Sequence, residues 1–546
     1  MKKEEVIKLF VGKGYLISPD FINNINENED YVNFLDKLSK LKNKPTIINN
    51  DVFLVLSKTD NININWSDFD SSKAYFESGK NDSNYGVFLD VMGYNISEEK
   101  REILNNLAEE LKNPDIDIGE EKYENEESVI ILKNYSEIIS KKEVRGFVDS
   151  FRKRYDIIKK ILIERAEFNE AISIRNLTSK ENNSFISFIG LILKKDYTKN
   201  NNIILTIEDL TGQIKAIINK EREVYSFAED LVEDEVIGVS GVFSKGVVFV
   251  NNITLPDIPN TFELKKSPED IYIAFIGDLH FGLKKFMGGC FDNFLKWLNK
   301  DYGDSKEKEI VEKLKYLFIA GDVVEGVGIY PEQDKDLEIK DIYKQYELVA
   351  EYLGKIPKNI KIVMCGGNHD AMRISEPQPI FDKKFSASLH KIKNLTLVSN
   401  PGLINIHASK DFPGFNILLY HGFSFPYYAD NVKSIKSKGG ILRPDLIMEF
   451  LLKRRNLAPT YASSLVDPLM VEHLIIDKVP DFFCSGHIHR VSVSQYKNIT
   501  CINSSCWVTQ TRDMERRGII PDPAKVIVVN LKTREHKILN FEENVR

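Results

Sequence analysis

The C-terminal half of the chain contains five short apolar runs, each followed by polar residues that can bind a metal ion. The runs span residues 271–276, 316–320, 360–365, 417–420 and 482–484. The polar residues after them are Asp278 and His280, Asp322, Asn368 and His369, His421, and His487 and His489. Apolar strands that alternate with helical stretches indicate a layered α/β architecture, which binds ligands at the carboxyl ends of its strands. We therefore predict that one edge of one sheet collects these side chains.

The donor types in these clusters indicate which metal ions they suit. Aspartate, asparagine and histidine together match borderline or hard divalent cations, with Mn²⁺ as the first choice and Mg²⁺ or Fe²⁺ as alternatives. A structural zinc site would more often include thiolates. The five cysteines form no CxxC pair and lie mostly beside apolar runs, which predicts reduced, buried thiols. Glycines beside the candidate ligands allow tight turns and a close approach of the backbone to the ions.

Periodicity and composition divide the chain into five regions. Apolar side chains at helical spacing open the chain, and an Asn-rich segment with an acidic run at 120–127 follows them. We interpret that acidic run as a solvated tether rather than a recognition site. The predicted regions are a helical module (1–48), an acidic, Asn-rich linker (49–140), a basic amphipathic helix (141–166), a β-barrel domain (167–262) and the α/β domain (263–546).

The barrel prediction comes from five strand-like runs between residues 185 and 250. They are rich in β-branched residues and are separated by Asp-Leu-Thr-Gly and Ser-Lys-Gly turns. Five short strands in one segment predict an oligonucleotide/oligosaccharide-binding (OB) fold. Such a barrel can bind nucleic acid or dock a partner protein. Its strands carry few aromatic or arginine residues at predicted outward positions, so partner docking is the favoured interpretation.

Charge and hydropathy exclude several classes of protein. The formal charge of −7 gives no chain-wide basic field, so any contact with nucleic acid has to be local. The apolar runs are far shorter than the roughly 20 residues that a membrane helix needs, and the first residues do not open a signal peptide. We expect a soluble, cytoplasmic protein with no membrane partner.

The order D-x-H, GD, GNHD, HG and G-H-x-H resembles that of the calcineurin-like metallophosphoesterases. The resemblance implies an α/β sandwich that holds two divalent ions. One ion would be bound by Asp278, His280, Asp322 and His489, and the second by Asp322, Asn368, His421 and His487. Asp322 would thus bridge the two ions, and His369 would bind the scissile phosphate and protonate the leaving oxygen. Two cations neutralise a phosphodiester and lower the pKa of water, which is the chemistry that hydrolysis requires.

Four longer motifs indicate which family within this group the chain resembles. Residues 367–379, 454–459, 479–489 and 521–526 resemble the small-subunit family of archaeal family D DNA polymerases, as does the order of the predicted domains. That family implies a 3′→5′ exonuclease, acting on single-stranded DNA ends, that proofreads beside a large polymerase subunit. Asn456 and Phe423 depart from the family pattern, which has a histidine and a basic residue there. Two alternatives remain: a non-catalytic scaffold subunit, and a stand-alone metal-dependent phosphodiesterase.

Two local clusters are candidate substrate contacts. Phe423 and Phe425 follow the candidate ligand His421 and precede several lysines, a combination that suits stacked bases and phosphates. These aromatic side chains can equally cover a hydrophobic edge. Arg454 and Arg455 form a basic cluster, which can contact either DNA or a partner protein.

Overall fold

The computed structural model describes residues 129–135 and 144–542, except Thr178 and Arg517, together with short stretches between residues 3 and 53. Most of the predicted linker, including the acidic run at 120–127, lies outside the described residues. The chain separates into two compact units, residues 1–122 and 123–546. No helix in the described ranges is long and apolar enough to span a membrane.

The first unit has a small aromatic core. Its described elements are α1 (Lys3–Gly12), β1 (Leu16–Ile17), α2 (Tyr31–Lys40) and β2 (Ile47–Ile48), and the two strands pair in parallel. Phe10 and Phe34 come from the two helices, and their rings stack with centroids 5.9 Å apart. The apolar residues at helical spacing therefore bury one face of each helix.

The second unit begins with a strand, β3 (Val129–Lys133), and a long helix, α3 (Val144–Ile163). The helix buries Tyr155, Ile158 and Leu162, which the spacing of the sequence places on one face. Strand β3 lies within the segment predicted as a linker, yet it pairs antiparallel with the strand formed by residues Gly402–Ile406. These five residues at the end of the predicted linker therefore belong to a sheet, because a partner strand far along the chain completes their hydrogen bonding, whereas the acidic run interpreted as a tether lies outside the described residues.

The barrel follows a short helix, α4 (Ile174–Leu177). Its elements are β4 (Ser184–Tyr197), β5 (Ile203–Asp209), β6 (Gly212–Ile218), α5 (Val224–Ala228), β7 (Val236–Ser244) and β8 (Val247–Thr254). The strands close in the order β4-β5-β6-β8-β7, with β6 and β8 parallel and the other pairs antiparallel. Alternate side chains such as Leu205 and Ile207 fill the interior. The predicted five-stranded OB barrel is confirmed.

The α/β domain occupies the remainder of the described chain. Its first half contains β9 (Tyr272–Ile276), α6 (Gly288–Leu298), α7 (Ser305–Glu312), β10 (Leu314–Ala320), α8 (Ile342–Gly354), β11 (Lys361–Cys365), α9 (Lys383–Ser386) and β12 (Leu395–Leu397). Its second half contains β13 (Gly402–Ile406), β14 (Phe415–Leu419), α10 (Phe425–Asn431), α11 (Lys433–Ser437), α12 (Pro444–Arg454), β15 (Phe482–Ser485), β16 (Ser492–Tyr496), β17 (Ile499–Asn503), α13 (Arg512–Arg516), β18 (Lys525–Asn530) and β19 (His536–Asn540).

Together with β3, these strands form two six-stranded sheets that pack face to face. One sheet has the order β12-β11-β10-β9-β18-β19, and the other β16-β17-β15-β14-β13-β3. Phe275 of the first sheet and Phe482 of the second meet in the core between them, with ring centroids 6.0 Å apart. The predicted sandwich is confirmed, but the prediction of a single sheet is wrong. Both sheets contain parallel strands, and sequence alone does not show which strands pair.

Buried charges join the barrel to the α/β domain. Arg454, at the end of α12, places Nε 2.6 Å from Oε2 of Glu235 in the barrel. Arg154 of α3 donates to the carbonyl oxygens of Pro459 and Ala458. We call Arg154, Glu235 and Arg454 the interdomain seam. All three are almost fully buried, so the seam holds the two domains together from inside.

Candidate metal centre

The candidate ligands follow five strands whose ends meet in the crevice between the two sheets. Asp278 and His280 follow β9, and Asp322 follows β10. Five of the candidates adopt left-handed backbone conformations, with φ between 48° and 68°, which L-residues rarely adopt. They are Asp278, His280, Asp322, His487 and His489. Such strain clusters at functional sites, where the surrounding structure imposes it.

Two glycines bring the backbone close to the carboxylates. A Cβ atom on Gly367 would lie 2.3 Å from Oδ1 of Asp322, and one on Gly486 would lie 2.5 Å from Oδ2 of Asp278. Both distances are shorter than any tolerable contact, so a larger residue would displace the carboxylate. The sequence expectation that glycines permit close approach holds at both positions.

The first cluster of donors contains Asp278, His280 and His489, all buried. Nε2 of His489 lies 3.3 Å from Oδ1 of Asp278 and 3.0 Å from Nε2 of His280. Two imidazole nitrogens and a carboxylate oxygen thus converge on one point. This set matches three of the four residues assigned to the first ion.

The second cluster contains Asp322, His421 and His487. Nε2 of His421 lies 3.2 Å from Oδ2 of Asp322 and 3.1 Å from Oδ1 of Asn368. The same Asp322 oxygen is 4.0 Å from Nε2 of His280 in the first cluster. Asp322 therefore lies between the two clusters, as a bridging carboxylate must.

Hydrogen bonds on the far side of the rings orient these histidines. Nδ1 of His280 lies 2.8 Å from Oε2 of Glu325, and Nδ1 of His421 lies 2.7 Å from the carbonyl oxygen of Ala320. Both acceptors favour a proton on Nδ1, so Nε2 of each ring is left facing the cluster. Outer partners of this kind fix the tautomer of metal-binding histidines.

The sequence interpretation missed Glu325. Its carboxylate orients His280 and also accepts a hydrogen bond at 3.0 Å from Nε2 of Gln333. Its carbonyl oxygen lies 2.9 Å from Nδ1 of His369. One buried residue thus contacts two of the candidate histidines. The available signal was its position three residues after Asp322, but a lone carboxylate in a loop is not distinctive.

Asp370 is a second residue without a predicted role. Its carboxylate accepts a hydrogen bond from the backbone amide of Gly367 at 2.9 Å and holds the loop that carries Asn368. Burial and the charge of Asp322 raise its pKa to about 7, although backbone hydrogen bonds oppose the rise. The Asp370 side chain therefore fixes the conformation of the loop that carries Asn368 without facing the donor clusters itself.

His369, which follows β11, lies at the edge of the clusters and is more exposed than His280. Its side chain is 17% exposed, against 3% for His280. Because the Glu325 carbonyl favours a proton on Nδ1, Nε2 is the nitrogen available to a ligand.

The electrostatics of the centre favour bound cations. Burial lowers the pKa of His280, but its hydrogen bond to Glu325 and the charges of Asp322 and Asp278 outweigh burial and raise it to about 9. Burial likewise opposes protonation of His421, whose pKa the charge and hydrogen bond of Asp322 raise to about 10. These carboxylates therefore attract positive charge to the ligand nitrogens, and the mixed oxygen and nitrogen donors fit divalent ions.

Two connected depressions lie over the clusters. The metal cavity, about 230 Å³, is lined by His280, Asp322, Glu325, His369 and His489 among others. A second depression of about 630 Å³ shares Asn368, His369 and His487 with it. We call the second depression the side groove. An extended ligand can therefore reach the clusters while part of it lies outside them.

Of the four residues predicted to contact the substrate, one lines the side groove and three are buried inside the protein. Phe423 lines the side groove, and its ring centroid is 5.7 Å from that of His487. Phe425 is fully buried in the helical layer beside the second sheet, so it covers a hydrophobic core. Arg454 belongs to the seam, and Arg455 is buried and donates to the carbonyl oxygens of Ile476 and Asp477. The expectation that these two arginines contact DNA or a partner protein is therefore wrong, because their guanidinium groups are used inside the protein.

The fold and the clusters together define a calcineurin-like phosphoesterase with an OB domain. Residues 271–491 match the family model of the calcineurin-like phosphoesterases, and residues 186–254 match that of the OB-fold nucleic acid binding domain. A phosphoesterase domain of this kind hydrolyses phosphoesters with divalent metal ions, and the two donor clusters fit that chemistry.

Full-length relatives identify the family. The chain is 37% identical to the DNA polymerase II small subunit of Methanothermobacter thermautotrophicus over 392 residues, which is 71% of this chain and 78% of that protein. It is also 37% identical to the Pyrococcus furiosus protein of the same name, over 73% of this chain and 64% of that protein. The chain belongs to the family of archaeal DNA polymerase II small subunits, which confirms the resemblance seen in the sequence.

Proposed function

We propose that this chain is the proofreading 3′→5′ exonuclease of a heteromeric archaeal DNA polymerase and acts on single-stranded DNA ends. The observation that carries the proposal is the convergence of two donor clusters on either side of Asp322, at the floor of an open cavity. A non-catalytic scaffold would have no need to keep seven ligand-type side chains together in this strained arrangement.

The residues present fit two metal ions. Asp278, His280 and His489 would hold one, and Asn368, His421 and His487 would hold the other, with Asp322 shared. When bound, two divalent ions neutralise the phosphodiester and lower the pKa of a water molecule so that it can attack phosphorus. Mn²⁺ is our first choice of metal.

His369 supplies the proton in this proposal. Its Nδ1–H is held by the Glu325 carbonyl, so Nε2 faces the cavity. When the ring carries a proton on both nitrogens, Nε2 can donate its proton to the departing 3′-oxygen, and the ring then returns to the neutral form. A deoxyribose alkoxide is a poor leaving group, and its protonation lowers the barrier to cleavage. Glu325 keeps the ring in position and restrains His280 at the same time.

Membership of the family supports a role for this chain as one subunit of a larger polymerase. Its relatives are named as small subunits of a DNA polymerase. A large subunit that polymerises DNA in the cytoplasm is therefore the partner we propose. The OB barrel contributes nucleic-acid binding or a docking surface for that subunit.

The test is a hydrolysis assay with Mn²⁺ on single-stranded DNA labelled at its 5′ end. We expect successively shorter labelled products, which show removal from the 3′ end, and no hydrolysis after chelation of the metal. Asp322→Ala should abolish shortening, whereas His536→Ala, which replaces an exposed histidine on β19, should not. Equal activity of Asp322→Ala and the unmodified protein would overturn the site assignment.

A substrate panel addresses the alternatives. Cleavage of RNA or cyclic nucleotides in preference to DNA would support a stand-alone phosphodiesterase. Absence of Mn²⁺ binding would support a non-catalytic scaffold. Purification from native cells without a large polymerase subunit would remove the replication role and leave hydrolysis unaffected.

The role of His369 has its own test. A p-nitrophenolate leaving group needs no proton at neutral pH, whereas a deoxyribose oxygen does. His369→Ala should therefore slow DNA hydrolysis by about 10²-fold or more while slowing bis(p-nitrophenyl) phosphate hydrolysis much less. An equal loss on both substrates would assign His369 to phosphate binding instead of proton transfer.

A further inference from the structure

The side groove differs in chemistry from the metal cavity that it joins. The cavity lining contains four carboxylate or imidazole groups of the donor clusters among apolar side chains, whereas the described lining of the groove has no carboxylate and is aromatic, apolar or neutral polar apart from the histidines shared with the centre. Phe423, Tyr427, Tyr461 and Tyr330 supply its aromatic surface. A neutral aromatic wall suits a flat, uncharged group and offers little to a phosphate.

The position of the groove indicates what such a group would be attached to. Phe423 stands beside His487, so the groove begins directly at the second donor cluster. Tyr461 also lines the groove and is 41% exposed. A ligand whose phosphate sits over the clusters therefore has its next flat group within reach of these rings.

Contacts with neighbouring residues hold the ring of Tyr461 in a fixed position at the side groove. Its ring contacts Phe147 and Phe151 of α3, with centroid distances of 6.0 and 6.1 Å. Its backbone amide donates at 2.9 Å to Oδ2 of Asp234 in the barrel. A ring that is held on one side and open on the other loses little conformational freedom when a ligand stacks on it.

We infer that the side groove binds unpaired nucleobases of the strand whose terminal phosphodiester occupies the metal cavity, and that Phe423 and Tyr461 stack on them. The inference rests on the proposed function and adds the part of the substrate that the metal ions do not contact. A base is accessible to both rings only when it is unpaired. The groove therefore selects frayed or mismatched 3′ ends over paired ones.

The test measures binding separately from hydrolysis. The full-length protein is titrated with Mn²⁺ present against fluorescent single-stranded DNA whose phosphorothioate bonds resist cleavage. Tyr461→Ala and Phe423→Ala should each weaken binding by roughly 5- to 150-fold, the effect of one lost stacking contact. The same variants should not change affinity for DNA that lacks the bases of its last two nucleotides.

Tyr343→Ala is the matched control, because Tyr343 is 45% exposed and lies on α8 away from the groove lining. It should bind both oligonucleotides as the unmodified protein does, and Tyr461→Phe should retain most of the affinity. Undiminished binding by Tyr461→Ala and Phe423→Ala, or no binding of the intact oligonucleotide by the unmodified protein, would overturn the inference. Normal base-dependent binding without any DNA hydrolysis would instead contradict the proposed function and leave the groove assignment standing.

Discussion

The interdomain seam and the metal centre are both buried clusters of charged side chains, but their charges are compensated differently. In the seam, the Arg454 guanidinium faces the Glu235 carboxylate, and its other donors meet the carbonyl oxygens of Asp230 and Phe450. In the metal centre, carboxylates and imidazoles converge, and Nε2 of His280 lies 3.0 Å from Nε2 of His489. A buried charge with a complementary partner from the same chain indicates structure, whereas a set of metal-ligand atoms facing one another indicates a site for external cations.

The largest expected effect comes from removing one carboxylate charge in the metal centre. Asp322→Asn keeps the shape of the side chain but removes the negative charge shared by both clusters. We expect the rate of DNA hydrolysis to fall by about 10³-fold or more, because both ions lose a ligand that supports several kcal/mol of charge stabilisation. Initial rates at saturating Mn²⁺ measure this. The variant should remain folded without metal, which circular dichroism checks, and an unfolded variant would show that Asp322 is structural.

The same change in the seam should have the opposite outcome. Glu235→Gln leaves Arg454 buried without its counter-charge, which is expected to cost about 3–5 kcal/mol of unfolding free energy. Urea unfolding measures the loss, and the folded variant should hydrolyse DNA normally. Glu233→Gln is the control, since Glu233 is exposed in the same loop. If the Glu235→Gln variant is as stable as its control, the seam does not depend on paired charges.

The sequence predicted the strands and the convergence of the candidate ligands, because each candidate lies directly after an apolar run. It did not predict the distribution of these strands over two sheets, since strand pairing joins distant residues, as in β3 with β13. It also placed Arg454 at the surface. Within a short basic run, spacing does not show which side chain turns inward. Here Lys453 pairs with Glu449 at the surface while Arg454 turns into the seam.

Glu325 offers a smaller test, because it acts on the metal through His280. Glu325→Gln removes the charge that holds the His280 ring, and we expect Mn²⁺ affinity to weaken by about 10–100-fold. Equilibrium dialysis measures the dissociation constant, and Glu325→Asp should recover part of the affinity if orientation of the ring is the cause. Glu338→Gln, at an exposed position in the same region, is the control. Unchanged affinity in Glu325→Gln would leave the carboxylate with a purely structural role.

The smallest expected effect is on the pH dependence of Mn²⁺ affinity, because the metal ions have to replace protons on the histidines. With pKa values of about 9 for His280 and about 10 for His421, both rings are protonated at pH 7.5 in the metal-free protein. Mn²⁺ must displace these protons from Nε2, so its affinity should rise by up to roughly tenfold per pH unit for each proton released. Calorimetric titration in two buffers of different ionisation enthalpy counts the protons.

The same raised pKa values determine how the stability of the metal-free protein changes with pH. The two rings contribute stability that is complete below their unfolded pKa of about 6.5 and is lost as pH rises through about 9 to 10. The metal-free melting temperature should therefore fall over that range while Mn²⁺ binding strengthens. Because the charge of Asp322 raises the pKa of His421, Asp322→Asn should reduce the number of protons released on binding. An unchanged number would mean that His421 does not supply a displaced proton.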